Sequence, residues 1–453
     1  AARDQQLRPT PVVAWGPGVP HGTITAPSTR RHGLMAITDV APTVLAALGI
    51  EVPLELPGHP IRYEPGRTDL GALHSIDADT TVREATYGWV SSNFIRAFTL
   101  LYLFALFVVV ARPRFLAASP YLRGAVLSFA AFPVATFLVR LVPGLTTWFT
   151  NAQPMVEIGF ALLIGLLASR SKRNPLSSFG WITGLTVGVI LIDTWTGSRL
   201  HMSSWLGYSA HNPGRFYGVP NTTFAVLGAC TLLWAGVLVE RSPRRTEAMV
   251  KAACLFVVVL VSAGLPMLGA DVGTLITLFP IFIVLMLVLS GRKIRVRTLA
   301  IAGLAMVALV AVAAGVDLAR PAQDRSHLGQ FTETLIHDGP STLTDTFTRK
   351  QEANFRILQG SVWSDLIPAA ALFLLIPLVW ERRSKEILPS GSALRASFFA
   401  VLAAAALGFA SNDSGPIVVA LFLSFLPPFI TLIVLGSRSG EPELLAATGA
   451  PTP

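Results

Sequence analysis

From residue 94 almost to the C-terminus, apolar runs long enough to cross a bilayer alternate with short polar connections, and no other feature of the chain limits its fold so strongly. A bilayer core accepts about 20 apolar residues as a helix, and in hydrocarbon the backbone must satisfy its own hydrogen bonds, which a helix does within one segment. The runs fall at roughly 94–111, 122–142, 155–169, 177–196, 221–239, 250–266, 272–290, 298–316, 363–380, 396–411 and 416–436. The expected fold is therefore mainly α, a polytopic bundle of about 11 transmembrane helices. Composition agrees: 52% of the 453 residues are hydrophobic and 13% are charged, which excludes an ordinary soluble protein.

The net charge of +9 does not indicate nucleic acid, because the Lys and Arg residues sit between the apolar runs and report topology. Alternate connections carry Arg112, Arg114 and Arg123; Arg170, Lys172 and Arg173; Arg241, Arg244, Arg245 and Lys251; Arg292, Lys293, Arg295 and Arg297; and Arg382, Arg383, Lys385 and Arg395. The intervening connections 143–154, 267–271 and 412–415 contain neither residue. Positively charged loops stay inside, so the expectation is a multipass plasma-membrane protein with its N-terminal region outside and a cytoplasmic tail over 437–453. Trp89, Trp148, Trp195, Trp205 and Trp363 then fall near the outer surface and Trp181, Trp234 and Trp380 towards the inner one. No internal repeat of the transporter kind is evident. Cys230 and Cys254 lie in apolar segments without metal or redox spacing and read as small buried hydrophobes.

Residues 1–75 differ in kind, being rich in Pro, Gly and His with apolar runs too short to span. They read as a piece of an extracytoplasmic α/β domain, joined by a linker at 76–93 to the membrane part at 94–436, and the chain looks like a fragment that begins within that domain. Pro11–Trp15, closed by Gly16-Pro17-Gly18, and Leu34–Ile37 are expected strands. Asp39 is expected to cap a helix over 40–48, with Pro42 in its first turn and Gly49 ending it.

This order of strand, Asp39, Ala41-Pro42-Thr43, apolar helix and Gly49, followed by Glu51-Val52-Pro53 and Leu56-Pro57-Gly58-His59-Pro60-Ile61, resembles the C-terminal end of the alkaline phosphatase superfamily. Val12-Val13-Ala14-Trp15-Gly16-Pro17-Gly18 and Ser28-Thr29-Arg30-Arg31 match the same region, and the resemblance covers about the first 65 residues. It implies a Ser or Thr nucleophile beside two divalent metal ions, such as zinc or manganese, held by Asp and His upstream of this stretch. The nucleophile and most ligands are absent here, and no cofactor is evident in the chain itself. His21 is a metal-ligand candidate that follows the strand where the family's last histidine is expected before it, so a loop histidine is the plainer reading. Arg30 and Arg31 are anion-binding candidates, since guanidinium forks grip phosphate.

Polar chemistry collects in the connection 193–221. Asp193, Arg199, His201, Ser204, Tyr208, His211, Arg215, Tyr217 and Asn221 combine phosphate-binding, proton-exchanging and hydroxyl groups, with Trp205, Phe216 and Tyr217 to pack on a sugar or lipid. The alternative is an interfacial segment whose polar groups satisfy one another. Gly207-Tyr208-Ser209 and Gly214–Asn221 also resemble a motif of multipass bacterial membrane proteins that follow an alkaline-phosphatase-like domain. Asp271 and Asp413 lie at the same level, where carboxylates are costly and mark candidate sites. The long connection 317–362 reads as two amphipathic helices on the interface, with Asp324-Arg325-Ser326-His327 a further candidate.

By resemblance, the chain is the membrane-embedded part of an envelope protein, presenting a phosphate-bearing lipid or lipid-linked glycan for phosphoester cleavage or transfer. Its expected partners are membrane lipids and that substrate. Two other readings stay open. A transporter or lipid flippase requires Asp193, Asp271 and Asp413 to line one cavity. A metal-free polymerase or ligase of lipid-linked glycans requires Arg199, Arg215, His201 and a residue of 317–362 to converge.

Overall fold

A computed structural model describes residues 9–53, 56, 58–111, 119–142, 144–145, 152–170, 174–211, 216–375 and 381–436. Among them, ten helices are long and apolar enough to cross a membrane, and a helix pair bent by 71°, Ser341–Gly360 with Val362–Leu374, raises the number to 11. The chain is a mainly α multipass membrane protein carrying a small sheet.

Helix α1 (Val40–Ala47) ends as its sequence dictates: Gly49 takes φ 69°, and the Ile50 amide reaches back 2.9 Å to the Leu45 carbonyl. Asp39 acts differently from expectation. Its carboxylate makes no bond into α1; Oδ2 accepts from Ser28 Oγ at 2.6 Å and the Ala36 amide at 2.7 Å, and Oδ1 from the His59 amide at 2.9 Å. Leu34–Ile37 is accordingly a bend into a 3-10 turn at Ile37–Asp39 and not a strand. Among the described residues Pro11–Trp15 pairs with no strand either. The sheet is β1 (Gly22–Ala26) between β2 (Arg31–His32) and β3 (Arg62–Pro65), both antiparallel, so β1 has a neighbour on each side and Trp15 is left 94% exposed.

Residues 76–93 are not a linker. They belong to α2 (Leu70–Ala111), a single helix of 42 residues that leaves the small domain and enters the bundle unbroken. No Pro or Gly pair interrupts it after Gly71, and Thr80, Arg83, Thr86, Val90 and Phe94 bury one continuous face. The remaining helices are α3 (Pro120–Leu138), α4 (Ala152–Arg170), α5 (Pro175–Trp195), α6 (Asn221–Arg241), α7 (Arg245–Gly264), α8 (Val272–Leu289), α9 (Val296–Leu318), α10 (His327–Asp338), α11 (Ser341–Gly360), α12 (Leu366–Leu374), α13 (Glu381–Ile387), α14 (Ala393–Ser411), α15 (Gly415–Ser424) and α16 (Leu426–Gly436). The expected span at 363–380 is met by α12, while 376–380, like the tail 437–453, lies outside the described residues.

In lipid, small residues replace the hydrophobic effect as the means of close helix approach. Gly124 and Ser128 of α3 face Gly165 and Ser169 of α4; a Cβ on Gly165 would lie 2.2 Å from Ser128 Oγ and 2.8 Å from the Gly124 carbonyl. Helix α6, largely buried, packs against α5, α14 and α15 and brings Phe224 and Phe422 edge to face at 5.6 Å. The two helices expected in 317–362 are α10 and α11. Asn354 pins α11 to the bundle, accepting from the Gly415 amide at 2.8 Å and donating to the Phe409 and Asn412 carbonyls at 3.0 and 2.9 Å. Cys230 is buried as expected, but Cys254 is exposed on α7, facing away from the core.

Candidate functional site

Between α5 and α6, residues 196–211 and 216–220 fold back against the bundle end that carries the small sheet, termed here the domain end. The Asp193 carboxylate organises it. Oδ1 accepts from the Leu200 amide at 2.8 Å and Oδ2 from the His201 amide at 3.1 Å, while His201 Nδ1 bonds to Oδ2 as well. The turn closes where the Tyr208 amide donates to the His201 carbonyl at 2.9 Å and the Ser203 amide to the Tyr208 carbonyl at 2.8 Å. Tyr208 Oη donates to the Tyr217 carbonyl. Gly218, at φ 77°, lets the chain turn against Gly269, whose carbonyl a Cβ would meet at 2.0 Å.

Beneath this loop, α2 presents a polar face that sequence reading assigned to the linker. Arg83 Nε donates to the Ser204 carbonyl at 3.0 Å and its Nη1 to Glu84 Oε1 at 2.5 Å, and Ser209 Oγ donates to the same carboxylate oxygen at 2.5 Å. Thr80 Oγ1 lies 3.5 Å from Ser203 Oγ, and Asp79 pairs with Arg140 at the end of α3. Glu157 of α4, 1% exposed, accepts from Gln153 Nε2 at 3.1 Å and feels the charges of Arg140 and Arg83. Two signals pointed to these residues. Polar positions 77, 81 and 84 and positions 79 and 83 recur at helical spacing before an apolar run, and Arg140 and Glu157 are ionisable groups inside predicted spans.

The cluster holds more polar atoms than it pairs. Asp77 Oδ1, Thr81 Oγ1, Arg140 Nε, Gln153 Oε1, His201 Nε2 and Ser204 Oγ are buried with no hydrogen-bond partner among the described residues. Buried polar groups are normally satisfied by protein, water or a ligand, and six such atoms gather at this end of the bundle, with others such as Trp363 Nε1 and Thr431 Oγ1 elsewhere.

The other expected residues have different placements. Trp205, Phe216 and Tyr217 are buried and present no platform to a sugar: Trp205 stacks on Trp363 at 5.4 Å beside Phe94 and Phe132. Neither Trp205 nor Trp363 is an interfacial anchor, whereas Trp89 and Trp195 are more than half exposed. Asp193, Asp271 and Asp413 hold three separate junctions. Asp271 Oδ2 caps α8 through the Thr274 amide at 3.0 Å, and Asp413 Oδ1 accepts from Asn221 Nδ2 at 2.7 Å. Arg199, His327 and His21 are exposed, and His211 is half-buried with its amide on Ser209 Oγ. Arg215, Trp148 and Trp380 lie outside the described residues.

Arg30 and Arg31 join the small domain to the bundle and are not open to an anion in this arrangement. Arg31 donates to the Phe216 carbonyl at 2.8 Å and the Ser198 carbonyl at 2.7 Å; Arg30 donates to the Pro266 carbonyl at 3.0 Å and lies 3.8 Å above the Tyr217 ring. Burial presses the pKa of both guanidinium groups downward, a desolvation cost that the carbonyl bonds and the ring offset. Among the described residues no group of three or more His, Cys, Asp or Glu is placed to hold a metal ion. Comparison of the chain with protein-family models, with curated proteins and with solved structures gives no significant match.

Proposed function

We propose that the domain end of the bundle receives the polar head of a phosphate-bearing lipid or lipid-linked glycan and holds it for phosphoester cleavage or transfer on that side of the membrane. The observation that carries the reading is the buried polar cluster beneath residues 196–211, with its six atoms that have no partner among the described residues. Arg83 and Arg140 supply forks for phosphate, while Asp79, Glu84, Glu157, Thr81 and Ser204 supply the carboxylates and hydroxyls that recognise sugar hydroxyls. The alternation of basic connections with the short Lys/Arg-free ones at 143–154, 267–271 and 412–415 supports a plasma-membrane setting with this end outside the cytoplasm. If the resemblance of residues 1–65 to the alkaline phosphatase superfamily is one of descent, the metal-dependent step belongs to that domain and the bundle supplies its lipid.

The test is native mass spectrometry of the protein released from its own membranes. A bound phosphate-bearing lipid, retained by the wild type and lost in Arg83→Gln and Arg140→Gln, supports the proposal; the same bulk phospholipids on all three chains defeat it. Asp193, Asp271 and Asp413 stand apart and, among the described residues, line no common cavity, but one observation favours a second reading, transport of a cation or proton through this cluster. Asp77, Asp79, Glu84, Glu157 and Asp193 outnumber Arg83 and Arg140 in the cluster, and a net acidic cluster at membrane depth suits a cation or proton. Proton uptake by proteoliposomes that is abolished in Glu157→Gln distinguishes it.

A further inference from the structure

We propose that Asp193 and His201 form a proton-accepting dyad within this cluster, and that the Arg30–Arg31 turn of the small domain clamps the loop that covers it. The ring of His201 is fully buried, and its Nδ1 is committed to a carboxylate that already accepts two backbone amides. An ionised carboxylate so placed fixes the proton on Nδ1, which leaves Nε2 with a lone pair in the neutral ring. Among the described residues Nε2 has no partner, and the rings of Phe137 and Tyr208 lie 5.0 and 6.3 Å from the imidazole between centroids. A carboxylate that orients an imidazole whose other nitrogen is free is the arrangement of a general base. The proton of a substrate hydroxyl passes to Nε2, the O–H electron pair stays on oxygen, and Asp193 faces the imidazolium that results.

The cover over the dyad is held from outside the bundle. Arg31 grips the Ser198 carbonyl, and the Ser198 amide donates at 2.7 Å to the Asp193 carbonyl, so a single residue separates the clamp from the dyad. Arg30 presses on Tyr217, whose carbonyl receives the Tyr208 hydroxyl. Among the described residues, four that are not glycine have a left-handed backbone, Arg30 (51°), Ser198 (55°), Ser203 (57°) and Ala270 (51°), and all four lie in this junction. Such conformations cost energy and persist only where surrounding contacts enforce them. At Ser198 the Arg31 bond is one of those contacts, and release of the clamp frees the loop to uncover His201.

Carbethoxylation of histidine by diethyl pyrocarbonate, read by peptide mass spectrometry on the full chain in nanodiscs, tests both parts. In the wild type, exposed His21, His32 and His74 take label while His201 does not. In Arg30→Ala/Arg31→Ala, labelling of His201 rises at least tenfold while buried Cys230 stays closed to maleimide, which shows that the bundle is intact. Adding Asp193→Asn to that variant removes the group that holds the tautomer and lowers the rate severalfold. Labelling of His201 in the wild type at the rate of His74, or no labelling in a clamp variant with Cys230 still closed, overturns the clamp. A rate indifferent to Asp193→Asn overturns the dyad. If the double variant does not fold, 15N-histidine spectra of the wild type decide, since a proton on Nε2 and not on Nδ1 contradicts the dyad. The substrate hydroxyl rests on the lipid or glycan reading above, but labelling and spectra report on the protein alone, so each can fail without the other.

Discussion

The two ends of the bundle use the same residue types in opposite ways. At the end bearing the 241–245 and 374–393 connections, Arg245 and Glu240 bond to the Leu289 carbonyl and the Ala393 amide, but the ion pairs are helical i,i+3 and i,i+4 pairs in solvent: Arg244 and Lys251 flank Glu247 with side chains 83%, 63% and 48% exposed, and Lys385 reaches Glu381 at 2.6 Å. At the domain end the side chains of Arg83, Asp193, His201 and Asp317 are 10%, 2%, 0% and 0% exposed, each held by backbone or by a neighbouring element. Solvated pairs contribute little and set orientation. Buried ones are costly to desolvate and fix one geometry. The difference makes the domain end the one whose ion pairs are held in a single buried geometry.

That contrast breaks first at Asp193. Asp193→Ala leaves His201 buried without its carboxylate, and thermal unfolding in detergent is expected to show a loss of roughly 3–5 kcal/mol; a loss below about 1 kcal/mol would place the pair in the same class as the solvated ones. Next comes the loop's turn. Gly218→Val meets the Gly269 carbonyl and a left-handed backbone together, and a loss of about 1–3 kcal/mol is expected with faster proteolysis of the 196–220 loop. Close packing between α3 and α4 predicts a loss of similar size for Gly165→Leu, without that loop cleavage.

A smaller effect sharpens the comparison through pH. Gln330 Nε2 donates to His59 Nε2 at 3.0 Å, joining the small domain to α10, and burial holds the His59 pKa below its ordinary 6.5. The docked form therefore binds fewer protons than the free form, so this contribution is complete above 6.5 and declines as pH falls through that value. Hydrogen exchange in residues 58–65 should quicken from about pH 7.5 to about 5.5 once corrected for the intrinsic rate, and Gln330→Ala should remove most of the difference. Smallest of all, Glu247→Ala at the opposite end should leave the melting temperature unchanged.

Hydropathy made the bundle legible because lipid imposes the helix, its length and its internal hydrogen bonding together. It did not reveal burial: the α6 and α9 spans have mean hydropathy 1.9 and 2.6, yet 83% of the first and 17% of the second is buried. Thr, Gly and Cys in α6 allow close packing, whereas bulky Val and Leu of α9 face outward. The candidate site was half legible. Asp193 and His201 stood out as polar groups among aromatics, but which groups join them depends on α2, whose polar face looked like a linker because it precedes the apolar run. Arg30 and Arg31 looked like phosphate ligands because their chemistry is the same whether the acceptor is a phosphate or a loop carbonyl. Asp39 was legible as a structural residue and misplaced by one element, since its carboxylate reaches Ser28 and His59, far from it in sequence.

The most direct test is a photocrosslinking amino acid placed at exposed Arg199 and, in a second chain, at exposed Arg297 of the opposite end, activated in native membranes, with the adducts weighed. The account predicts at position 199 an adduct with a phosphate-bearing lipid or lipid-linked glycan that position 297 lacks, diminished by Arg140→Gln. The same bulk phospholipid adducts at both positions, unaltered by Arg140→Gln, would contradict it.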